Sequence, residues 1–343
     1  MFTWQTFSTQ DYGHHKHAFL LVFLAVCCVL AFLGCIALGP VRVPIDRLFA
    51  ILFGTETSGS LYHIVWQVRL PRALAALLLG MALSSSGAVL QATMHNPLAA
   101  PSLLGVNAGA GLATMLVLSF WPKQVLWLAP ASFLGALCAL MLILLISSFT
   151  GGARTTLILA GIAVSALLGA GIDALRLLFP DAMFGATSFM IGGFAGITWS
   201  SFNFAYGYIL VALLCALLCA PLLNVLALGD EVAQTLGVHV RRWRLLLMLL
   251  AAVLAGGSVC LGGLIGFVGL IVPHTARQML GTDQRWLIPG TMLLGGTLVL
   301  ACDLASRLLF APYELPAGIL LAFLGGPFFI VLLYRNHRAN LQS

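Results

Sequence analysis

Charge is what this sequence has least of. Only 8% of its 343 residues are Asp, Glu, Lys or Arg, while 61% are hydrophobic. A soluble domain of that length cannot hide so much apolar surface, so the chain reads as an all-α polytopic membrane protein. The net charge of +6 is then no nucleic-acid signal, because basic residues in such a chain mark loop orientation. Lysine is nearly absent: Lys16 and Lys123 are the only two, and neither follows a glycine loop. Without G-x-x-x-x-G-K-[ST] the chain has no P-loop of its own for ATP. H-E-x-x-H, G-x-S-x-G and C-x-x-C are missing as well, so no catalytic and no metal site is nominated. The eight cysteines lie in or beside apolar runs and read as small packing residues. His63, His95, His239 and His274 read as polar loop or helix-end residues, and His14, His15 and His17 as part of a solvated tail over residues 1–17.

What is present is hydrocarbon in long runs. A spanning helix needs roughly 20 apolar residues. Ten segments qualify as candidates: 18–39, 73–93, 102–120, 125–148, 156–179, 202–223, 244–261, 264–281, 286–309 and 315–334. Ten crossings put both termini on one side, and a slight Lys/Arg excess there makes that side the cytoplasm. Between the fifth and sixth spans, Thr187 to Ile197 reads as a short helix that does not cross. Asp173 and Arg176, three apart on one helix, are placed to pair. Spacings such as Gly105/Gly109 and Gly192/Gly196 allow close helix approach where no hydrophobic effect drives association.

The most polar interruption is Leu228 to Arg244, LGDEVAQTLGVHVRRWR. Asp230 and Glu231 suit the first turn of a helix, where the macrodipole is positive. Val232, Ala233 and Leu236 fall on one side of it, and Gly237 can close it in a left-handed conformation. Two further stretches, Gly87 to Gly111 and Gly262 to Arg277, are apolar runs broken by Gly and Pro at corresponding places in the two halves. Such breaks, at Asn-Pro and at Pro-His, point to inverted-repeat-like halves and a substrate path. Arg69, Arg72 and Arg307 adjoin apolar runs on the outer side. They fit either snorkelling at the headgroups or a docking surface for an acidic partner.

The motifs RLPR at 69–72, GAVLQATMHNPLAAPSLLG at 87–105, LGDEVAQTLGV at 228–238, GLIGFVGLIVPHTAR at 263–277 and ELPAG at 314–318 resemble, in this order, those of the FecCD-like permeases of type II ABC importers. That family takes up ferric siderophores, heme and cobalamin. The resemblance implies ten spans in a single permease domain over 1–343, a second and identical permease subunit, two separate ATPase subunits inside, and a periplasmic substrate-binding protein outside. It implies residence in a bacterial inner membrane. It implies no cofactor bound by this chain, with ATP and Mg used by the partner ATPase.

The same resemblance makes residues 228–238 a cytoplasmic coupling helix, with Asp230, Glu231, Gln234, Thr235 and Gly237 as ATPase contacts. It makes Arg69, Arg72 and Arg307 docking residues for the binding protein. Asn96, Pro97 and Leu98, with Thr155 and Thr156, become the cytoplasmic gate. Ferric siderophore is the first expected cargo, with heme and cobalamin as alternatives. An ion-coupled secondary transporter is the competing class, and it would need carboxylates near the midplane. Asp173, Asp303 and Glu314 all fall near span ends.

Overall fold

Apolar runs become helices because inside hydrocarbon every backbone N–H and C=O must find a partner within its own segment. The structure, a computed structural model, describes residues 6–39, 41, 43–55, 58–149, 154–309, 311 and 313–341. Among the described residues there is no strand. Helix α1 (Thr6–Ala37) leads through α2 (Ile45–Leu52) to α3 (Ser60–His63). A π-helical turn, Ile64–Arg69, joins α3 to α4 (Leu70–Met94). A 3-10 turn, Pro101–Leu104, precedes α5 (Val106–Phe120). Then come α6 (Leu128–Phe149), α7 (Arg154–Leu178), α8 (Pro180–Ile191), α9 (Trp199–Leu218) and α10 (Ala220–Ala227). The six-residue α11 (Asp230–Thr235) is followed by α12 (Val240–Gly262), α13 (Val268–Leu280), α14 (Gln284–Leu308) and α15 (Ala317–Leu341).

Each of the ten expected spans contains a helix. Seven stretches among the described residues are long and apolar enough to cross a bilayer, the longest being Ser60–Met94. Val106–Phe120 and Ala317–Leu332 are apolar but shorter, and α13 has only 13 residues. Three expectations need correction. The first helix starts at Thr6, so tail residues 6–17 extend it, while residues 1–5 lie outside the described set. The short helix before α9 is Pro180–Ile191, not Thr187–Ile197, because Pro180 suits a first helical turn and Gly192 ends it at φ +80°. The second broken stretch does not break at Pro-His. Pro273 sits inside α13, and the interruption is Gly263–Phe267, where Gly263 and Phe267 both have positive φ.

Helix α4 is the axis of the fold. It packs on α12, α13 and α14, and nearly all of it is buried. Small residues make this possible. A Cβ on Gly80 would lie 2.3 Å from the Gly295 carbonyl oxygen, and one on Gly87 would lie 1.8 Å from that of Gly269. Helices α5 and α6 meet the same way at Gly109 and Gly135, which bears out the close approach expected at Gly109. Gly196 has no such neighbour. Hydroxyls add cross-helix bonds: Ser84 donates to the Thr291 carbonyl at 2.8 Å and Ser86 to that of Ala251 at 2.6 Å. In an apolar medium van der Waals contact and such bonds hold helices together. On α1, Phe19, Phe23 and Leu30 are exposed, as suits a lipid-facing helix.

Candidate functional site at the two ends of the bundle

Helix α12 separates two polar regions. From Arg244 to Gly262 it rises about 27 Å, a membrane thickness.

At the Gly262 end lies a cluster of charges that are almost all paired. Arg72 donates to Asp303 through Nε (3.1 Å) and Nη2 (2.9 Å), and to Glu314 through Nη1 (2.8 Å). Arg307 lies 3.3 Å from the other Asp303 oxygen and also donates to the Cys35 carbonyl. Arg69 has backbone partners: its guanidinium donates to the carbonyls of Ile36, Ala37 and Val41. Gly39 leaves room for it, since a Cβ there would lie 2.7 Å from Arg69 Nη2. Asp303 is fully buried, and Arg69, Arg72 and Arg307 are nearly so. The three arginines expected to be presented outward are therefore committed inward, to partners within the chain. Neither Asp303 nor Glu314 carries a free carboxylate.

Beside this cluster a cleft of about 530 Å³ opens between α6, α8, α9 and α12. Arg72 and Glu314 line it, together with the turn Gly193–Ile197. Phe189 and the Gly193–Ile197 turn thus shape one wall of the cavity at this end. The backbone there is pinned: Gly193 donates to the Gly262 carbonyl at 2.8 Å, and Gly318 donates to that of Gly192 at 3.0 Å.

The Asp173–Arg176 pair expected from spacing is present at 3.2 Å, but exposed. Exposed pairs contribute little, so Asp173→Ala should change stability by less than about 1 kcal/mol in a thermal-unfolding series.

At the opposite end, α11 has the geometry expected of it. Asp230 and Glu231 occupy its first turn. Gly237 has φ +81°, and its N–H donates to the Gln234 carbonyl at 2.9 Å. Glu231, Gln234, Thr235 and Gly237 are exposed. Asp230 is half-buried, because Arg244 donates to both its carboxylate oxygens at 2.7 and 2.8 Å. The apolar side is not buried as a unit. Ala233 packs inward, while Leu228, Val232 and Leu236 are 63%, 45% and 61% exposed. A contiguous exposed apolar face flanked by polar groups marks an interaction site.

The turn after α4 lies at this end too. His95 ends α4 in the left-handed region at φ 49°, and its ring Nε2 bonds the Leu226 carbonyl at 2.6 Å. Asn96 Oδ1 accepts from the Leu98 N–H at 2.9 Å, which fixes the turn. Asn96 and Pro97 line a cleft of about 210 Å³ with Gln91, Arg277 and Gln284. Leu98 and Thr156 do not line it. Thr155 stands in the first turn of α7, but its side chain lies outside the described residues. Nearby Asp283 caps α14. Burial alone would push its carboxyl up, but bonds from the Arg285 N–H and the Asn224 amide outweigh that and hold it below the usual range.

Two pairings, Arg72 with Asp303 and Arg244 with Asp230, have no direct sign in the residue order. For Asp303 the available signal was chemical: a carboxylate within an apolar run must have a partner.

A sequence profile of the FecCD transport family matches residues 24–335. The chain belongs to that family. This FecCD permease is 39% identical over 330 residues to the hemin transport system permease HmuU of Yersinia pestis, covering 94% of this chain and 98% of that one. It is 40% identical to the ferric dicitrate permease FecC of Escherichia coli, over 80% of this chain and 83% of that one. A solved metal-chelate type ABC transporter in an inward-facing conformation superposes with a TM-score of 0.82 at 30% identity, covering 92% of this chain and 98% of that one. The FecCD chain is accordingly a multi-pass membrane protein and a permease component of an ABC transporter.

Proposed function

We propose that this permease imports an iron chelate by ATP hydrolysis carried out in separate subunits. Two ATPases bind at the α11 end. A periplasmic binding protein delivers cargo at the Arg72 end, and a second copy of the chain completes the path. The chain crosses ten times in two inverted-repeat-like halves, with α5, α13 and the apolar part of α15 as the short crossings, and both termini lie in the cytoplasm of an inner membrane. The observation that carries the reading is the set of exposed apolar residues on and flanking α11, Leu228, Val232 and Leu236, in a chain with no P-loop. Such a face needs a partner, and the chain needs an energy source. Glu231, Gln234, Thr235 and Gly237 rim that face as contacts. Asn96, Pro97 and Leu98, with Thr155 and Thr156, form the gate on the same side. The docking arginines act by bracing the outer surface on which the binding protein sits, not as free cations.

If the face is the ATPase contact, Leu236→Glu should weaken co-purification of the ATPase by about tenfold or more, as for a central interface residue. Retention at the wild-type level would remove the assignment.

Hemin is the favoured cargo, because the match to the hemin permease runs nearly end to end in both chains. Ferric siderophore, the first expectation from the sequence, is the second reading, and the ferric dicitrate relative supports it. Deleting the gene in its host and measuring uptake of radiolabelled iron separates them. The favoured reading predicts loss of hemin uptake with siderophore uptake retained. The reverse pattern would establish the second reading.

A further inference from the structure

The attachment of α11 to the rest of the bundle is narrow. One side chain of the helix, Ala233, is buried. Among the described residues, no side-chain hydrogen bond or ion pair joins Glu231, Gln234 or Thr235 to the bundle, and the Thr235 hydroxyl turns back to the Val232 carbonyl. The strongest hold is the two-oxygen bond from Arg244 to Asp230, which joins the first turn of α11 to the first turns of α12. Asp230 suits that place, since a carboxylate is stabilised by the positive end of a helix. One guanidinium nitrogen, Nη2, reaches both oxygens, and charge-assisted bonds of this kind are shorter and stronger than neutral ones.

Helix α12 then runs without an internal proline to Gly262. It is buried over most of its length and packs on α4, α6 and α9. At its far end the Gly262 carbonyl accepts from Gly193, in the turn that lines the cleft beside Arg72, and Gly192 accepts from Gly318 at the start of α15. A continuous line of covalent and hydrogen-bonded structure therefore joins α11 to the opposite cleft, and it passes through the Asp230–Arg244 pair.

We propose that Asp230 and Arg244 are positioning residues for coupling. The pair is a strut that makes α12 follow α11, so that a displacement imposed at the loop end reshapes the Gly193–Ile197 turn at the other. Asp230 is thereby assigned to the permease side of the interface, and Glu231, Gln234 and Thr235 remain as its outward groups. The inference rests on the ATP-driven reading given above.

The test uses the complete importer in proteoliposomes, with ATP hydrolysis and cargo uptake measured together. Asp230→Asn and Arg244→Gln should each keep the ATPase bound and hydrolysing within about twofold, while cargo moved per ATP falls about tenfold. The exchanged pair, Asp230→Arg with Arg244→Asp, should recover most of that loss, the coupling expected of two residues in direct contact. A merely structural role would lower assembly and hydrolysis together and leave cargo per ATP unchanged, which overturns the proposal. Loss of ATPase binding in Asp230→Asn but not in Arg244→Gln would also overturn it, since Asp230 would then be a contact. Should either variant misassemble, Arg244→Lys serves in its place: the bond is made by Nη2 at the tip of the long Arg244 side chain, and the shorter lysine keeps the charge but cannot bring it to that position, so cargo per ATP should fall with assembly intact. Wild-type importer showing no ATP-dependent uptake would count against the ATP-driven reading itself, separately from the strut.

Discussion

Asp303→Ala is expected to remove most of the folded permease. The carboxylate is fully buried and holds two guanidinium groups, Arg72 and Arg307, that are themselves nearly inaccessible. Removing one partner of a buried ionic cluster leaves uncompensated charge inside, at a cost of about 3–5 kcal/mol. Arg72 would retain Glu314, but Arg307 would retain only backbone carbonyls, those of Cys35 and position 303. Detergent-solubilised size-exclusion profiles check this: the monodisperse peak should shrink severalfold relative to wild type. Replacing the group together, as Arg72→Met, Asp303→Leu and Arg307→Met, should restore much of it, because apolar substitution of a whole buried ion cluster is often neutral. If Asp303→Ala behaves like wild type, the cluster is not holding this end of the bundle.

Gly87→Val is expected to do comparable damage by a different route. The Cβ would meet the Gly269 backbone carbonyl at 1.8 Å, and backbone cannot rotate out of the way as a flexible side chain can. Helices α4 and α13 would have to separate, unpacking the axis of the fold. Overpacking a tight core costs about 1–3 kcal/mol, and contact with backbone on both sides puts this site at or above the upper end. Gly326→Ala is the control: no heavy atom lies within 4 Å of a Cβ there, so its melting temperature should match or slightly exceed wild type. A Gly87→Val protein that melts with the control would contradict the close approach of α4 and α13.

The helices were readable because apolar length is a direct physical demand of the bilayer. The α11 turn was readable for the same kind of reason: acids at a helix start and glycine at its end are local chemistry. Helix ends and breaks were harder. Pro273 is an apparent helix breaker that sits inside α13, and the real interruption depends on Phe267 at positive φ, which no residue type announces. Helix α2 escaped notice because Leu48 and Ile51, its buried positions, are too few to make a long apolar run. Least legible were the pairings across the chain. Arg72 and Asp303 are 231 positions apart, so each alone reads as an interfacial charge, and the arginines looked free for a partner outside. Only their placement in space shows that they close on each other. The Asp230–Arg244 pair, 14 positions apart, was hidden in the same way.

The central claim is that this permease moves cargo on energy supplied by a separate ATPase. It is tested most directly by hemin uptake into proteoliposomes holding the permease, its ATPase and the binding protein, with an uncoupler mixture of a protonophore and a sodium ionophore abolishing any proton or sodium gradient. The account predicts uptake that requires ATP and is unaffected by the uncoupler. Uptake that stops with the gradient and ignores ATP would contradict it.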